Sequence, residues 1–224
     1  MNELLFIIHT IIVAGSALVA LKLGKEALVG FICLLSILSN LFITKQIALF
    51  GCNVTGGEVF AVGAIFGLNV LQEFYGREIV QKTVRINFFM LFFYLAMSQL
   101  HLWYLPNQYD TMHPHFSNIL AIMPRITLAS ITVYFVVQTF DAYFYHGLKT
   151  LCSGRYLLVR TATALICSQL LDTIFFTYLG LYGIIADPWH VIMVSMVIKL
   201  AAIAGATPFM LLAKKLVPHR NPHE

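Results

Sequence analysis

The stretch RTATALICSQLLDTIFFTYLGLY, residues 160–182, is apolar over a length that can cross a bilayer, yet it carries Gln169 and Asp172 near its middle. A helix rises about 1.5 Å per residue, so Asp172 lies roughly 18 Å beyond Arg160, close to the centre of a hydrocarbon layer about 30 Å thick. A lipid-facing Asp at that depth would cost at least about 2.5–3.5 kcal/mol. Gln169, Asp172 and Thr173 share one helix face. We therefore expect this face to point into the protein or into a wet cavity.

The composition of the whole chain is that of a membrane protein. Of its 224 residues, 59% are hydrophobic and only 11% are charged, which a soluble domain could not carry without large exposed apolar patches. The formal net charge of +4 would suggest nucleic acid in a soluble chain, but here it matters mainly which loops hold the charge. The four cysteines show no metal-ligand spacing. We expect no metal, no cofactor and no nucleic-acid partner.

Hydropathy predicts an all-α polytopic membrane protein with seven transmembrane helices. The connections between the helices are short, so the chain is predicted to be one integral membrane domain, 1–224. It comprises an extra first helix, 4–21, and a six-helix core over 27–213. The predicted spans are 4–21, 27–46, 57–76, 84–104, 119–146, 159–182 and 189–213.

The distribution of Lys and Arg predicts the orientation of these spans. Eleven of the basic residues follow odd-numbered spans and fall on one side: Lys22, Lys25, Arg77, Lys82, Arg85, Lys149, Arg155, Arg160, Lys214, Lys215 and Arg220. The connections 104–118 and 182–190 contain no Lys or Arg. We therefore expect the N-terminus outside and the C-terminus in the cytoplasm of a plasma (inner) membrane.

Other predicted spans also carry polar side chains. In the third span Asn69, Gln72 and Glu73 repeat the i, i+3, i+4 spacing. The fifth span contains Gln138 and Asp141, and for Asp141 an interfacial carboxylate is an equally good interpretation.

Arg125 lies in the outer third of the fifth span, and Lys199 lies near the middle of the seventh. Lys199 and Asp172 fall at similar depth on adjacent antiparallel helices, so an ion pair is expected, and such a pair could serve helix register alone. Helix packing does not require so many polar groups, which favours a polar cavity built from Asn40, Asn69, Gln72, Glu73, Arg125, Gln138, Asp141, Gln169, Asp172 and Lys199. The spans lack HExxH and GxSxG motifs, so we expect no enzyme.

Five segments together resemble the queuosine precursor transporter family. They are SNLFITKQIALFG at 39–51, FGLNVLQEFYGRE at 66–78, PRITLASITVYFVVQTFDAYFY at 124–145, RTATALICSQLLDTIFF at 160–176 and IKLAAIAGATPF at 198–209. The family commonly has Asp where this chain has Asn69.

The resemblance implies a core similar to the substrate-binding subunits of energy-coupling-factor importers and uptake of a 7-deazapurine base, such as preQ0, preQ1 or queuine. A guanine-like edge offers adjacent N–H donors that Asp172 can accept in pairs, while Gln169 or Gln72 can donate to its carbonyl. Two alternatives stay open. One is a subunit that takes up another vitamin-like molecule with a separate ATPase module, and the other is a membrane scaffold without transport.

Overall fold

The computed structural model describes residues 1–151 and 157–200, although the side chains of Gln138, Asp141 and several others between 138 and 165 lie outside that description. Within these residues, seven helices and one two-stranded sheet follow each other. They are α1 (Asn2–Leu23), α2 (Lys25–Phe42), β1 (Gln46–Leu49), β2 (Cys52–Thr55), α3 (Glu58–Leu102), α4 (His113–Leu120), α5 (Met123–Leu151), α6 (Leu157–Phe176) and α7 (Pro188–Leu200). A π-helical turn, Thr177–Leu181, prolongs α6.

The second helix ends earlier than the sequence predicted. The predicted span 27–46 takes the last residues as helix, whereas α2 ends at Phe42 and the chain enters an antiparallel hairpin. Phe50 (φ 51°) and Gly51 (φ 78°) form its two-residue turn, a left-handed pair that suits glycine at the second position. The apolar run through this region hid the hairpin, because an apolar strand and the end of an apolar helix look alike in hydropathy.

Helix α3 is a helical hairpin rather than one rod. Gly76 interrupts it with φ 82° and ψ 171°, a conformation that a residue with a Cβ rarely adopts. Ile65 and Asn87 stand eleven residues before and after Gly76 and line the same cavity. In a straight helix they would be about 33 Å apart. The second half of α3 therefore folds back beside the first, which matches the predicted spans 57–76 and 84–104.

Two hydrophobic clusters hold the helices together. The larger one joins α1, α2 and the first half of α3 and contains the buried side chains Val13, Leu28, Ile32, Leu35, Val70 and Leu71. The smaller one joins the start of α5 to the π-helical turn, to the connection that follows it and to α7; it contains Met123, Ile126, Leu181, Ile185 and Val191. Between these clusters the polar residues of α2, α3, α5, α6 and α7 face one another.

Four stretches of the described chain are long and apolar enough to cross a membrane: Asn2–Leu23, Lys25–Phe42, Glu58–Leu102 and His113–Val137, the last formed by α4 with the first half of α5. Two shorter apolar helical stretches, Ile166–Leu181 and Pro188–Leu200, follow them. The mainly helical fold class agrees with the sequence prediction. The number of seven membrane passes stays a prediction, and the predicted end of the seventh span, 201–213, lies outside the described residues.

Candidate functional site

A polar cavity of about 260 Å³ lies between α2, both halves of α3, α5, α6 and α7. A water molecule occupies about 30 Å³ in the liquid, so this space corresponds to roughly nine waters. That is the scale of a bicyclic heterocycle and lies just below the range of drug-sized pockets, about 300–1,000 Å³. The sequence predicted a polar cavity among these helices built from ten residues, and three of the ten, Asn40, Asp172 and Lys199, line this one.

Asp172 and Lys199 form the ion pair that the sequence predicted. The Nζ atom of Lys199 lies 2.7 Å from Oδ2 of Asp172 and 3.0 Å from the hydroxyl oxygen of Thr173. That hydroxyl donates to the carbonyl of Gln169 at 2.8 Å, so its lone pairs stay free to accept from Lys199. Two of the three ammonium hydrogens are thereby used.

The two members of this pair differ in exposure. The Lys199 side chain is 10% exposed, whereas the Asp172 side chain is 36% exposed. Both line the cavity. The carboxylate therefore has room for further donors, while the ammonium depends on its protein partners.

Asn40 joins α2 to α5 at the wall of the cavity. It is 7% exposed, its amide donates to the carbonyl of Ser36 at 3.0 Å, and its oxygen is 3.4 Å from the hydroxyl of Ser130. The latter contact is long for a hydrogen bond. Asn40 is thus the third of the predicted site residues that line the cavity, beside Asp172 and Lys199.

The aromatic lining of the cavity comes from Phe88, Tyr134 and Phe176. Phe88 and Tyr134 meet edge to face with ring centroids 4.8 Å apart. Asn87 lies beside them, and its side-chain oxygen is buried with no hydrogen-bond partner in the part of the chain that the structure describes. This wall offers ring faces for stacking on a flat ligand.

Glu58 is a cavity residue that the sequence did not single out. It is 8% exposed, and its Oε1 accepts hydrogen bonds from the hydroxyls of Thr55, at 3.0 Å, and of Ser195. In the sequence Glu58 begins a predicted span, where a carboxylate is ordinary because the positive end of the helix dipole stabilises it. The sequence does not show that Glu58 is buried, because Ser195, which donates to it in the fold, lies 137 residues away.

Several predicted site residues lie away from the cavity. Gln72 and Glu73 are exposed and Asn69 is half-buried. Gln169 is half-buried one turn from Asp172, and its side-chain oxygen has no hydrogen-bond partner among the described residues. None of these four belongs to the cavity lining.

Arg125 also lies away from the cavity lining and contacts the backbone at the end of the π-helical turn. It donates to the carbonyls of Leu179, at 3.0 Å, and Tyr182, at 2.7 Å. A cation at the C-terminal end of a helix satisfies its last carbonyls and suits its dipole. The side chains of Gln138 and Asp141 lie outside the described residues, so these two stay predictions.

A second cavity of about 360 Å³ adjoins the first near the hairpin. His9, Lys45 and Thr55 contribute to its lining, and Glu58 lines both cavities. Among residues 1–151 and 157–200, no group of three or more His, Cys, Asp or Glu side chains is arranged to hold a metal ion.

Comparison with known proteins identifies the family to which this chain belongs. A family model described as "Putative vitamin uptake transporter" matches residues 55–213. A protein of Bacillus subtilis (strain 168) named "Probable queuosine precursor transporter" is 32% identical over 218 residues, which cover 95% of this chain and 93% of the relative. The chain belongs to the queuosine precursor transporter family. The resemblance found in the sequence is thereby confirmed, and the chain is a multi-pass membrane protein of a transporter family.

The family match covers every element that lines the 260 Å³ cavity except α2, and the relative covers nearly the whole chain. No solved structure matches the chain. The expected similarity to substrate-binding subunits of energy-coupling-factor importers therefore stays a prediction.

Proposed function

We propose that this protein imports a queuosine precursor, a 7-deazapurine base such as preQ0, preQ1 or queuine, into the cytoplasm. The observation that carries the proposal is a carboxylate, Asp172, that is held by Lys199 but keeps 36% of its surface exposed in a cavity of heterocycle size. The name of the B. subtilis relative points to the same substrate, and the family description points to uptake of a small molecule of the vitamin kind.

The chemistry of the cavity suits a guanine-like base. Asp172 can accept the ring N–H and the exocyclic amino group as a pair, because a carboxylate offers two oxygens at the spacing of two adjacent donors. The third hydrogen of the Lys199 ammonium can reach the neighbouring carbonyl of the base. Phe88, Tyr134 and Phe176 offer ring faces for stacking.

The remaining predicted binding residues differ in how close the structure places them to the cavity. Asn40 lines the cavity, while Gln169 lies one turn from Asp172 on the same helix. Gln138 and Asp141 remain candidates from the sequence pattern alone. A second conformation of the transporter would have to bring Asn69, Gln72 and Glu73 to the ligand. Arg125 was also predicted to bind, but it donates to two backbone carbonyls, and we propose a structural role for it.

We also propose the seven-pass topology with the N-terminus outside. Three contacts support it by placing α1's start, the hairpin and the α6–α7 connection at one end. The Asn2 amide donates to the carbonyl of Ala48 at 2.9 Å, the Gln46 amide donates to the carbonyl of Ile184 at 3.3 Å, and the backbone N–H of Ala186 donates to Gln46 at 3.2 Å. Gly24 and Gly76, next to the basic residues, would then lie at the cytoplasmic end.

In the proposed function the protein performs no enzymatic step. Its energy would come from an ion gradient, from trapping of the base inside the cell, or from a separate ATPase module as in energy-coupling-factor importers. A scaffold with buried charges that serve only packing is the competing interpretation, and saturable uptake separates the two.

The test is uptake in a bacterial host that lacks its own queuosine synthesis and its own precursor transporter. Cells with the wild-type protein should acquire queuosine in tRNA when the base is supplied at low concentration, and cells with Asp172→Asn should not. Asp110→Asn is the matched control, because this carboxylate lies in an exposed loop. The amide keeps the oxygen that accepts from the backbone N–H groups of Met112 and His113. Absence of queuosine in cells that hold abundant wild-type protein would contradict the proposal.

A further inference from the structure

Glu58 carries a charge that the proposed binding of the base does not use. Of the described residues that line the 260 Å³ cavity, three have acidic or basic side chains: Glu58, Asp172 and Lys199. Lys199 is paired with Asp172 at 2.7 Å. Glu58 is therefore the acidic side chain of this cavity that has no basic partner among the described residues.

The surroundings of Glu58 stabilise this charge only in part. Two hydroxyls donate to the same oxygen, Oε1, and the helix N-terminus adds a partial positive charge. The part of the chain that the structure describes gives Glu58 no ion pair. Lys45 and His9 line the adjoining cavity with it, but Lys45 is exposed, so solvent screens its charge. A carboxylate that only closed a helix end would ordinarily face water, whereas Glu58 is 8% exposed.

We propose that Glu58 binds a positively charged group of the substrate and thereby selects the amine-bearing 7-deazapurine over its neutral analogue. The inference rests on the proposed function. Asp172 binds the guanine-like edge, and Glu58, at the junction of the two cavities, pairs with an ammonium carried by the 7-substituent. A primary alkyl amine is protonated at neutral pH, as a lysine side chain is. The 7-aminomethyl base meets this requirement and the 7-nitrile base does not.

The size of the cavity agrees with this arrangement. About 260 Å³ holds a bicyclic base with a short substituent, and Glu58 and Asp172 both line it. Close charge pairs at binding interfaces contribute about 1.5 kcal/mol or more, which corresponds to a preference of about tenfold or more. That preference should be seen in half-saturation, because the amine adds a contact to the bound base.

The experiment compares uptake of the labelled 7-aminomethyl and 7-nitrile bases by the full-length protein in the same host. The wild-type protein should take up the aminomethyl base with a half-saturation concentration about tenfold lower than that of the nitrile base. Glu58→Gln keeps the acceptor for Thr55 and Ser195 while removing the charge, and it should bring the ratio close to one with uptake of the nitrile base retained. Glu78→Gln removes an exposed carboxylate from the same helix and should leave the ratio unchanged.

The outcomes separate the two proposals. Uptake of neither base by abundant wild-type protein contradicts the proposed function. Equal half-saturation for both bases in the wild-type protein contradicts the role of Glu58 alone, whether or not the variant folds. A folded Glu58→Gln variant that keeps the tenfold preference, or that loses both bases equally, contradicts it too.

Discussion

Lys199 is buried more deeply than Asp172. We therefore expect that replacing one or the other member of this ion pair lowers the stability of the protein by different amounts. Lys199→Met leaves a carboxylate that is 36% exposed and can be hydrated from the cavity. Asp172→Leu leaves an ammonium that is 10% exposed and that keeps, among the described residues, only the hydroxyl of Thr173 as a partner. Removing one partner of a fully buried pair costs about 3–5 kcal/mol. We expect a loss of this size for Asp172→Leu and about half of it for Lys199→Met.

For a chain of this size, 1 kcal/mol shifts the melting temperature by about 2–4 °C, so Asp172→Leu should melt roughly 6–20 °C lower than wild type. The assay is the thermal loss of the monodisperse peak of detergent-solubilised protein. The double variant Lys199→Met with Asp172→Leu leaves neither charge stranded and should recover most of the loss. An equal or larger loss for Lys199→Met would refute the asymmetry.

The double variant also separates a structural pair from a binding site. If the pair serves only helix register, restored stability should restore uptake. If Asp172 accepts from the base, the stable double variant must stay inactive, because no apolar side chain replaces those hydrogen bonds. We expect recovered abundance and absent uptake, and recovery of both would remove Asp172 from the site.

Three further predictions follow from the fold and its orientation. A reporter fused after Glu224 should report the cytoplasm and one inserted near Gln108 the outside, and a cytoplasmic signal from the latter would overturn the seven-pass topology. Gly76→Ala should destabilise the protein by about 1–2 kcal/mol because φ is 82° there. Gly30→Ala is the control, because this glycine lies in a helix with open space around the added Cβ, and it should be neutral or stabilising. Equal melting temperatures of the two variants would refute the assigned turn. Arg125→Met removes two hydrogen bonds to carbonyls and should cost about 1–3 kcal/mol while leaving the half-saturation of uptake unchanged; a raised half-saturation would instead make Arg125 a binding residue.

The features that the sequence predicted depend on local periodicity. Asp172 and Lys199 were paired because the fixed rise of a helix puts them at similar depth on neighbouring antiparallel helices, and the pair is present at 2.7 Å. The break between the third and fourth spans was predicted by hydropathy, since the apolar run ends at Gly76 and polar and basic residues follow it. These inferences need no knowledge of how the helices are rotated about their axes.

The features that the sequence missed depend on rotation and on distant contacts. Asn69, Gln72 and Glu73 share a helix face, but the spacing cannot say where that face points. The chain turns at Gly76, three residues after Glu73, and Gln72 and Glu73 are exposed. Glu58 and Ser195 are 137 residues apart and are brought together only by tertiary packing. A site formed across helices is thus less predictable than the helices that form it.

The most direct measurement is uptake by the purified protein in liposomes, because it removes every other transporter and enzyme. Vesicles that contain only this chain and lipid should take up the labelled 7-aminomethyl deazapurine base in a saturable way, and an excess of unlabelled base should compete. Vesicles with Asp172→Asn should behave like empty vesicles, while those with Asp110→Asn should behave like wild type. Saturable uptake by the Asp172→Asn protein equal to that of wild type would contradict the site assigned here.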